Sequence, residues 1–518
     1  MTPQGGADTL GFVMEPQLPK TRLICTLTAT TIEAMADQML QAAATGCDTV
    51  ECRLDYLSPP PSPADIAAFL DGPPLDVIAT CRPVREGGKF DGSETDRLAI
   101  LQAAAATGAS YIDVEADVPP DERPDGIVIS SRHDFETCPD DLADLAAGLD
   151  NSDAAVNKIA FAAARPSEAL RAFDVIRDSR KPTIALAMGP AGLTSRILAG
   201  KFGAFGTFAS LADGLESAPG QPTVAALRDL YRWDAIDADT EIYGVIGCPV
   251  GHSMSPAIHN AAFGATGING VYVPLLIEPG SENFNDFLDA VLARPWLNWR
   301  GLSVTIPHKH NACEFVGAEN CDPLAVRIGA VNTITISPQG EVRGDNTDYA
   351  AAIDALCDAM GIAREDLSGR EVAVLGAGGA ARAIVAALAH YNARTTVYNR
   401  TVARAEALAA EFGASADGLG AAESMQAEIV INCTPIGMHP VVDASPLDRI
   451  PESVKVVFDT IYNPIRTKLL AAAEEAQCLT VTGLDMFVNQ AVAQFGTWTA
   501  QEAPRDVMRQ VVMQHLDA

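Results

Sequence analysis

Lys158 lies in Val156-Asn-Lys-Ile-Ala-Phe161, an otherwise apolar run that reads as a buried strand. Burial penalises an ammonium there and favours the free amine, a nucleophile able to form an imine with a ketone. A strand-edge lysine that carries its head group to solvent is the ordinary alternative. His133, in Ser131-Arg-His-Asp-Phe135, adds a group suited to proton transfer near neutral pH. Further on, Val372-Ala-Val-Leu-Gly-Ala-Gly-Gly-Ala-Ala-Arg382 is an apolar strand that turns through Gly376-x-Gly378-x-x-Ala381 into an Ala-rich helix. Gly376, Ala377, Gly378, Gly379 and Ala380 would bring backbone N–H groups to a pyrophosphate at the helix start. About one strand–helix unit downstream, an NAD site usually carries Asp or Glu for the ribose 2′-hydroxyl. Asn399, Arg400 and Thr401 stand there instead, a cation and polar groups suited to a 2′-phosphate, which points to NADP(H). A hydride delivered to a ketone also requires a proton on oxygen. Lys309, after Ser303-Val-Thr305-Ile-Pro-His, and Asp348, in Gly344-Asp-Asn-Thr-Asp348, are the acid/base pair for it. Taken singly, the two would be a surface ion pair.

These groups need elements to position them. Eight β-rich runs occur in the first half: Leu23–Leu27, Thr49–Leu54, Val77–Cys81, Tyr111–Val114, Gly126–Ser130, Val156–Phe161, Thr183–Ala187 and Ala204–Phe208. Ala/Leu-rich helical stretches such as Ile32–Ala44 and Arg97–Ala106 fall between them. The pattern predicts an α/β fold with an N-terminal (β/α)8 barrel. A doubly wound open sheet is the alternative, because the fourth-to-fifth gap is short for a helical crossover. Trp233–Thr240 reads as a polar join that contributes to neither core. The second half alternates strand and helix with its Gly-rich turn well inside, which predicts a two-lobe α/β unit with a Rossmann NADP domain. The expected divisions are a tail over 1–20, the barrel over 21–236, a substrate lobe over 241–348, a Rossmann lobe over 349–484, and C-terminal helices over 485–518 packing on the substrate lobe.

A net charge of −31 makes nucleic acid and anionic membrane surfaces poor partners. Eleven dispersed cysteines without a CxxC pair read as reduced thiols of a cytoplasmic protein. The first 20 residues lack a secretory pattern, and no apolar run is long enough to span a bilayer. His252, His259, His308 and His310 fall in two separate segments without a completing carboxylate or cysteine, so no metal is expected.

In a barrel, catalytic groups project from C-terminal strand ends. Those ends carry Glu51 and Arg53, Arg82 and Glu86, His133, Arg196, and Ser217 and Gln221, a set that fits an anion-binding, polyol-reading site. In the second half, Ser253 and Ser255 precede a Pro-started helix and can present hydroxyls and amides to a carboxylate. The bland reading of the pair is an N-cap.

Glu51-x-Arg53-x-Asp55, Thr80-x-Arg82-x-x-x-Glu86-Gly-Gly88, Ser131-x-His133-Asp-Phe135, Lys158-Ile-Ala160, Gly192-x-x-Ser195-Arg196 and Ser217-Ala-Pro-Gly-Gln221 occur in order over roughly residues 20–235. This series resembles type I 3-dehydroquinate dehydratase. The resemblance implies that Lys158 forms an imine with 3-dehydroquinate, that His133 moves the proton, and that Glu86 orients His133. It implies that Arg196 binds the carboxylate, that Glu51, Arg53 and Arg82 hold hydroxyls or the carboxylate side, and that Ser217 and Gln221 sit on a closing loop.

The second-half segments, with Asn332-Thr333, Asn432-Cys-Thr434-Pro-Ile-Gly-Met438, Asp459-x-x-Tyr462-x-Pro464 and Gly483-x-Asp-Met486-x-x-x-Gln490, resemble shikimate dehydrogenase over roughly 241–515. That likeness implies NADPH-dependent reduction of 3-dehydroshikimate, with Ser253 and Ser255 on its carboxylate. Thr305, Asn332, Asp348, Tyr462 and Gln490 would contact substrate, Lys309 would act at the reacting oxygen, and Thr434 and Gly483 would lie beside the cofactor. One departure is Ser303, where many bacterial single-domain members carry Asn. The tandem order resembles the fused enzyme of plants and some bacteria, which implies 3-dehydroquinate and 3-dehydroshikimate as the small-molecule partners; the chain itself is expected to be a monomer or homodimer. The rival readings are a catalytically impaired metabolite-sensing regulator, which should have lost Lys158, His133, Lys309 or Asp348, and quinate dehydrogenase activity in the second half.

Overall fold

A computed structural model describes residues 20–517; apart from Lys20, the expected tail lies outside them. The first eight strands are β1 (Arg22–Leu27), β2 (Thr49–Arg53), β3 (Asp76–Thr80), β4 (Tyr111–Glu115), β5 (Val128–Asp134), β6 (Val156–Ala162), β7 (Thr183–Met188) and β8 (Gly206–Ser210). Each pairs in parallel with the next as far as β7, and β8 returns to pair with β1. The β7–β8 seam is joined by Phe205 N donating to Thr183 O at 2.9 Å. The sheet is therefore a nearly closed barrel, and the open-sheet alternative falls. The short fourth-to-fifth gap holds only a one-turn helix, Pro120–Glu122, in place of a full crossover helix. Because alternate residues of a strand face the same side, the parity that points Ile78, Ile129 and Val156 into the barrel floor also points Thr80, Ser131 and Lys158 inward one layer higher.

The second half begins with β9 (Glu241–Gly247), β10 (Gly270–Leu276), β11 (Trp299–Val304), β12 (Thr333–Ile336) and β13 (Val342–Asp345), in sheet order β10-β9-β11-β12-β13. The first three are parallel and the last two are added antiparallel. A six-stranded parallel sheet follows, from β14 (Glu371–Leu375), β15 (Arg394–Asn399), β16 (Ser415–Gly418), β17 (Ile429–Asn432), β18 (Val456–Asp459) and β19 (Leu479–Val481), ordered β16-β15-β14-β17-β18-β19. The order reverses at β14, where the Gly-rich turn lies, which is where open parallel sheets leave a crevice for ligands.

The C-terminal stretch forms two helices, Gly483–Thr499 and Arg505–Asp517, separated around Ala500–Pro504. The first packs on helix Thr347–Met360, and both pack on helix Ser255–Thr266. One expectation is corrected: the join at Trp233–Thr240 contributes to a core, since Trp233 and Thr240 are buried and Lys201 Nζ donates to Ala238 O at 2.7 Å. One apolar cluster runs from barrel residues such as Ile197 and Phe173 into Val271, Phe287 and Trp299 of the substrate lobe. The polar composition of the join hid this, because it is the flanking elements that bring the two cores together.

Candidate active sites

The first site is a cavity of about 530 Å³ at the C-terminal mouth of the barrel. Glu51, Arg53, Arg82, Glu86, His133, Lys158, Arg196, Ser217 and Gln221, drawn from distant parts of the chain, all line it. Lys158 is not isolated in apolar surroundings, as its local sequence suggested. Its Nζ donates to Asp113 Oδ2 at 2.7 Å and to Glu51 Oε1 at 3.2 Å, because β2 and β4 also turn polar residues inward at this level. Asp113, which was not singled out in the sequence, accepts Arg82 Nη2 at 2.8 Å and Ser131 Oγ at 2.6 Å as well. Burial opposes its charge, yet the Arg82 and Lys158 cations hold its carboxyl well below the usual carboxylate range. The signal was present in Tyr111-Ile-Asp-Val-Glu115: two carboxylates at i, i+2 inside an apolar strand.

Arg82 lines the cavity and is also tied into the carboxylates: its guanidinium pairs with Asp113, with Glu115 at 2.7 Å and with Ser131 at 2.8 Å. Arg53 is held on Asp55 through two bonds of 2.9 and 2.7 Å. Arg196 is the opposite case. It is 2% exposed, its Nε has no protein partner, and Nη1 makes only a long 3.4 Å bond to Phe208 O. Burial without a facing carboxylate pushes it down to about 10. A buried guanidinium of this kind, lining the cavity, is a place for an anion. His133 Nδ1 lies 3.1 Å from Glu86 Oε2, which also accepts the His133 backbone N–H. Burial and the Arg82 and Lys158 cations hold the imidazole well below its ordinary value, so it is neutral and able to take a proton. Burial raises the Glu86 carboxyl. Ser217 N and Oγ donate to Gln221 Oε1, whose side chain reaches Thr26 across the mouth.

The second site is wider. One cleft of about 1130 Å³ gathers Ser253, Ser255, Thr305, Lys309, Asn332, Asp348, Tyr462, Gly483 and Gln490. It shares Lys309 and Asp348 with an adjoining, more apolar cleft of about 1390 Å³ that reaches Gly379 and Ala380. Lys309 Nζ donates to Asp348 Oδ2 at 2.5 Å, with 31% and 19% of the two side chains exposed. Asn332 is less free than expected: its Oδ1 accepts Thr347 N at 2.7 Å and Thr333 Oγ1 at 2.8 Å, and its Nδ2 donates to Thr347 Oγ1. Ser303 takes part in a buried relay, accepting from Tyr272 at 2.6 Å and donating to Gln494 at 2.9 Å. Gln494 was missed in the sequence, although it lies one helical turn beyond Gln490 on the same face. Tyr462 stacks on Phe487 with ring centroids 4.7 Å apart. His308 is buried against Ile277 O, and among the described residues no group of His, Cys, Asp or Glu is arranged to hold a metal.

The Gly-rich turn can be tested for its fit to a dinucleotide. Gly376 adopts φ +109° against the Cys433 backbone, a conformation that excludes other residues. Gly378 and Gly379 face open space where a side chain would otherwise intrude, and helix Gly379–His390 starts without a side-chain cap. Its first N–H groups are therefore available to a phosphate. Ala377, Gly378, Gly379 and Ala380 are partly or fully exposed. Asn399 Nδ2 donates to Thr401 O at 2.9 Å and shapes the end of β15. Arg370, Arg382 and Arg394 are paired with glutamates, whereas exposed Arg400 has no such partner among the described residues. These residues fit NADP(H). Thr434 bonds to Asn432, and a side chain at Gly483 would collide with the carbonyl oxygens of Thr460 and Ile461.

Comparison with known proteins follows the same division. The pattern of type I 3-dehydroquinase matches residues 23–238, that of the shikimate dehydrogenase substrate binding domain 245–334, that of shikimate / quinate 5-dehydrogenase 359–484, and that of the shikimate 5′-dehydrogenase C-terminal domain 483–513. The chloroplastic bifunctional 3-dehydroquinate dehydratase/shikimate dehydrogenase of Arabidopsis thaliana is 37% identical over 95% of this chain and 84% of its own length. The shikimate dehydrogenase (NADP(+)) of Methanosarcina acetivorans is 41% identical over 54% of this chain and 99% of its own. A solved dehydroquinate dehydratase and shikimate dehydrogenase from S. pombe is 25% identical, covers 95% of this chain and 98% of that one, and has a TM-score of 0.43.

Proposed function

The chain belongs to the family of bifunctional 3-dehydroquinate dehydratase/shikimate dehydrogenases, and from that premise we propose how its own residues divide the work. It dehydrates 3-dehydroquinate without a cofactor and reduces 3-dehydroshikimate with NADPH. In the barrel, the Lys158 amine adds to the C3 ketone, and the resulting carbinolamine loses the former ketone oxygen as water to give an iminium. Asp113 and Glu51, already at the nitrogen, stand opposite the positive charge that the iminium keeps there. Neutral His133, oriented by Glu86, removes the C2 proton; the enamine electrons expel the C1 hydroxyl, which leaves as water with the proton returned by His133. Hydrolysis then frees Lys158 and the product. Arg196 receives the carboxylate, Arg53 lies beside the hydroxyls, and Ser217 and Gln221 close the mouth.

In the second site NADPH supplies the hydride. Gly376, Gly378 and Gly379 with Ala377 and Ala380 receive its pyrophosphate, and Asn399, Arg400 and Thr401 its 2′-phosphate, with Thr434 and Gly483 alongside. Ser253 and Ser255 hold the substrate carboxylate, and Thr305, Asn332, Tyr462 and Gln490 line the ring. Lys309, poised by Asp348, delivers the proton to the reduced oxygen. The divisions proposed are 21–236, 241–348, 349–484 and 485–518.

The small-molecule substrates are the partners this reading requires, with no nucleic acid or membrane; the net charge supports it. No described helix is long and apolar enough to cross a membrane. All eleven cysteines are free, which supports a reducing compartment such as the cytoplasm, and a monomer or homodimer is the proposed state. The observation that carries the dehydratase assignment is the shared cavity of Lys158, neutral His133 and an unpaired Arg196. Supplied with 3-dehydroquinate and NADPH, the protein should produce enone absorbance that rises and then falls as NADPH is consumed. Failure of the enone to form would overturn the barrel assignment.

A further inference from the structure

We infer that the substrate lobe of the dehydrogenase is a working part of the dehydratase's anion clamp, with Arg294 and Trp296 as positioning residues for a reaction in the other half of the chain. The inference rests on the reading that Arg196 receives the substrate carboxylate. Arg196 is carried by a five-residue helix, Leu193–Ile197, which follows β7 through the turn Pro190–Gly192. On the barrel side, Ser195 Oγ accepts Ala187 N at 2.9 Å and donates to Gly192 O at 2.7 Å, while Thr207 Oγ1 donates to Arg196 O at 3.1 Å. The same turn carries the loop over the cavity mouth. Gly189 N donates to Pro219 O at 3.0 Å, and a side chain at Gly220 would meet Gly189 O at 2.5 Å. Arg196, Ser217 and Gln221 thus depend on one short segment.

That segment is supported from outside the barrel. The turn and helix pack against β10 and against barrel helix Pro166–Asp178. Ile197 and Leu198 share an apolar core with Val271, Val273 and Leu275 of β10. Helix Pro166–Asp178 is in turn fastened to the substrate lobe. Arg294 Nη2 and Nε donate to Asp174 Oδ2 at 2.7 and 3.0 Å. Trp296 meets Phe202 edge-on at 5.4 Å and lies 4.2 Å beneath the Arg177 guanidinium. A buried guanidinium without a carboxylate is stable only where its scaffold prevents it from turning to solvent. The lobe supplies that restraint, and substrate binding in the barrel reads out its integrity.

The test uses the full-length protein with Arg294→Ala and Trp296→Ala combined. The KM for 3-dehydroquinate should rise roughly tenfold while kcat stays within about twofold, since the clamp is displaced but Lys158 and His133 are not. Kinetics with 3-dehydroshikimate and NADPH should be unchanged. If the double variant is insoluble, Arg294→Gln alone should give the same split to a smaller degree, and the swapped pair Asp174→Arg with Arg294→Asp should restore the KM. An unchanged KM, or parallel loss of kcat and of the second activity, overturns the inference. Arg196→Ala separates the premise: if it leaves the KM unchanged, the carboxylate reading falls and the inference with it. If Arg196→Ala raises the KM and the lobe variants do not, the inference alone falls.

Discussion

In the barrel cavity the charged groups are interlocked before any substrate arrives, whereas the dehydrogenase cleft leaves its reactive pair partly open to solvent. Lys158, Arg82, Asp113, Glu115 and Glu51 form a continuous buried network, and Arg196 has no counterion among the described residues. In the cleft, Lys309 and Asp348 pair with each other, the helix at Gly379 starts uncapped, and Arg400 stands exposed. The difference follows from what each reaction brings with it. A covalent imine develops charge on the protein's own nitrogen, so the compensating carboxylates must be fixed in advance. The reduction receives its electrons and much of its charge from a cofactor, so that site must stay open and keep donors unsatisfied until the cofactor fills them.

The largest test of this contrast is Lys158→Ala. Dehydration should disappear, borohydride with 3-dehydroquinate should no longer add substrate mass, and reduction of 3-dehydroshikimate should be untouched. Labelling of another lysine would break the assignment. In the cleft, Lys309→Ala and Asp348→Asn should each lower kcat by roughly 10²–10³-fold. The double variant should fall far less than the product of the two losses, because the groups act as one unit; multiplicative losses would assign one of them to binding alone.

Arg400→Ala should raise the KM for NADPH by about ten- to a hundredfold, as expected for one charge-assisted contact, with NADH use little changed. Equal losses with both cofactors would indicate misfolding instead. The smallest effect concerns pH. His133 has a folded-state pKa below its ordinary 6.5, so the dehydratase kcat/KM should stay level as pH falls through 6.5 and decline only below it. By linkage the unfolded chain takes up the proton first, so the wild type should lose stability below pH 6.5 relative to His133→Gln. Denaturant titrations at pH 7 and pH 5 measure this, and an acid limb centred at or above 6.5 would contradict the neutral imidazole.

The chain itself determined the repeated strand–helix units, the Gly-rich turn with Asn399-Arg400-Thr401, and the motifs bearing Lys158, His133, Lys309 and Asp348. Each is a local pattern: a strand period, a glycine that must turn, or a side chain at the end of an apolar run. What tertiary structure decided depends on inward parity and on contacts between distant segments. That Arg82 is tied to buried carboxylates depended on Asp113 and Glu115, a strand away and 31 and 33 residues on. Gln494 joined the second site only because its helix lies across β11 and β12. The polar join concealed a shared core for the same reason: burial is set by what packs over a segment, and composition records only the segment itself.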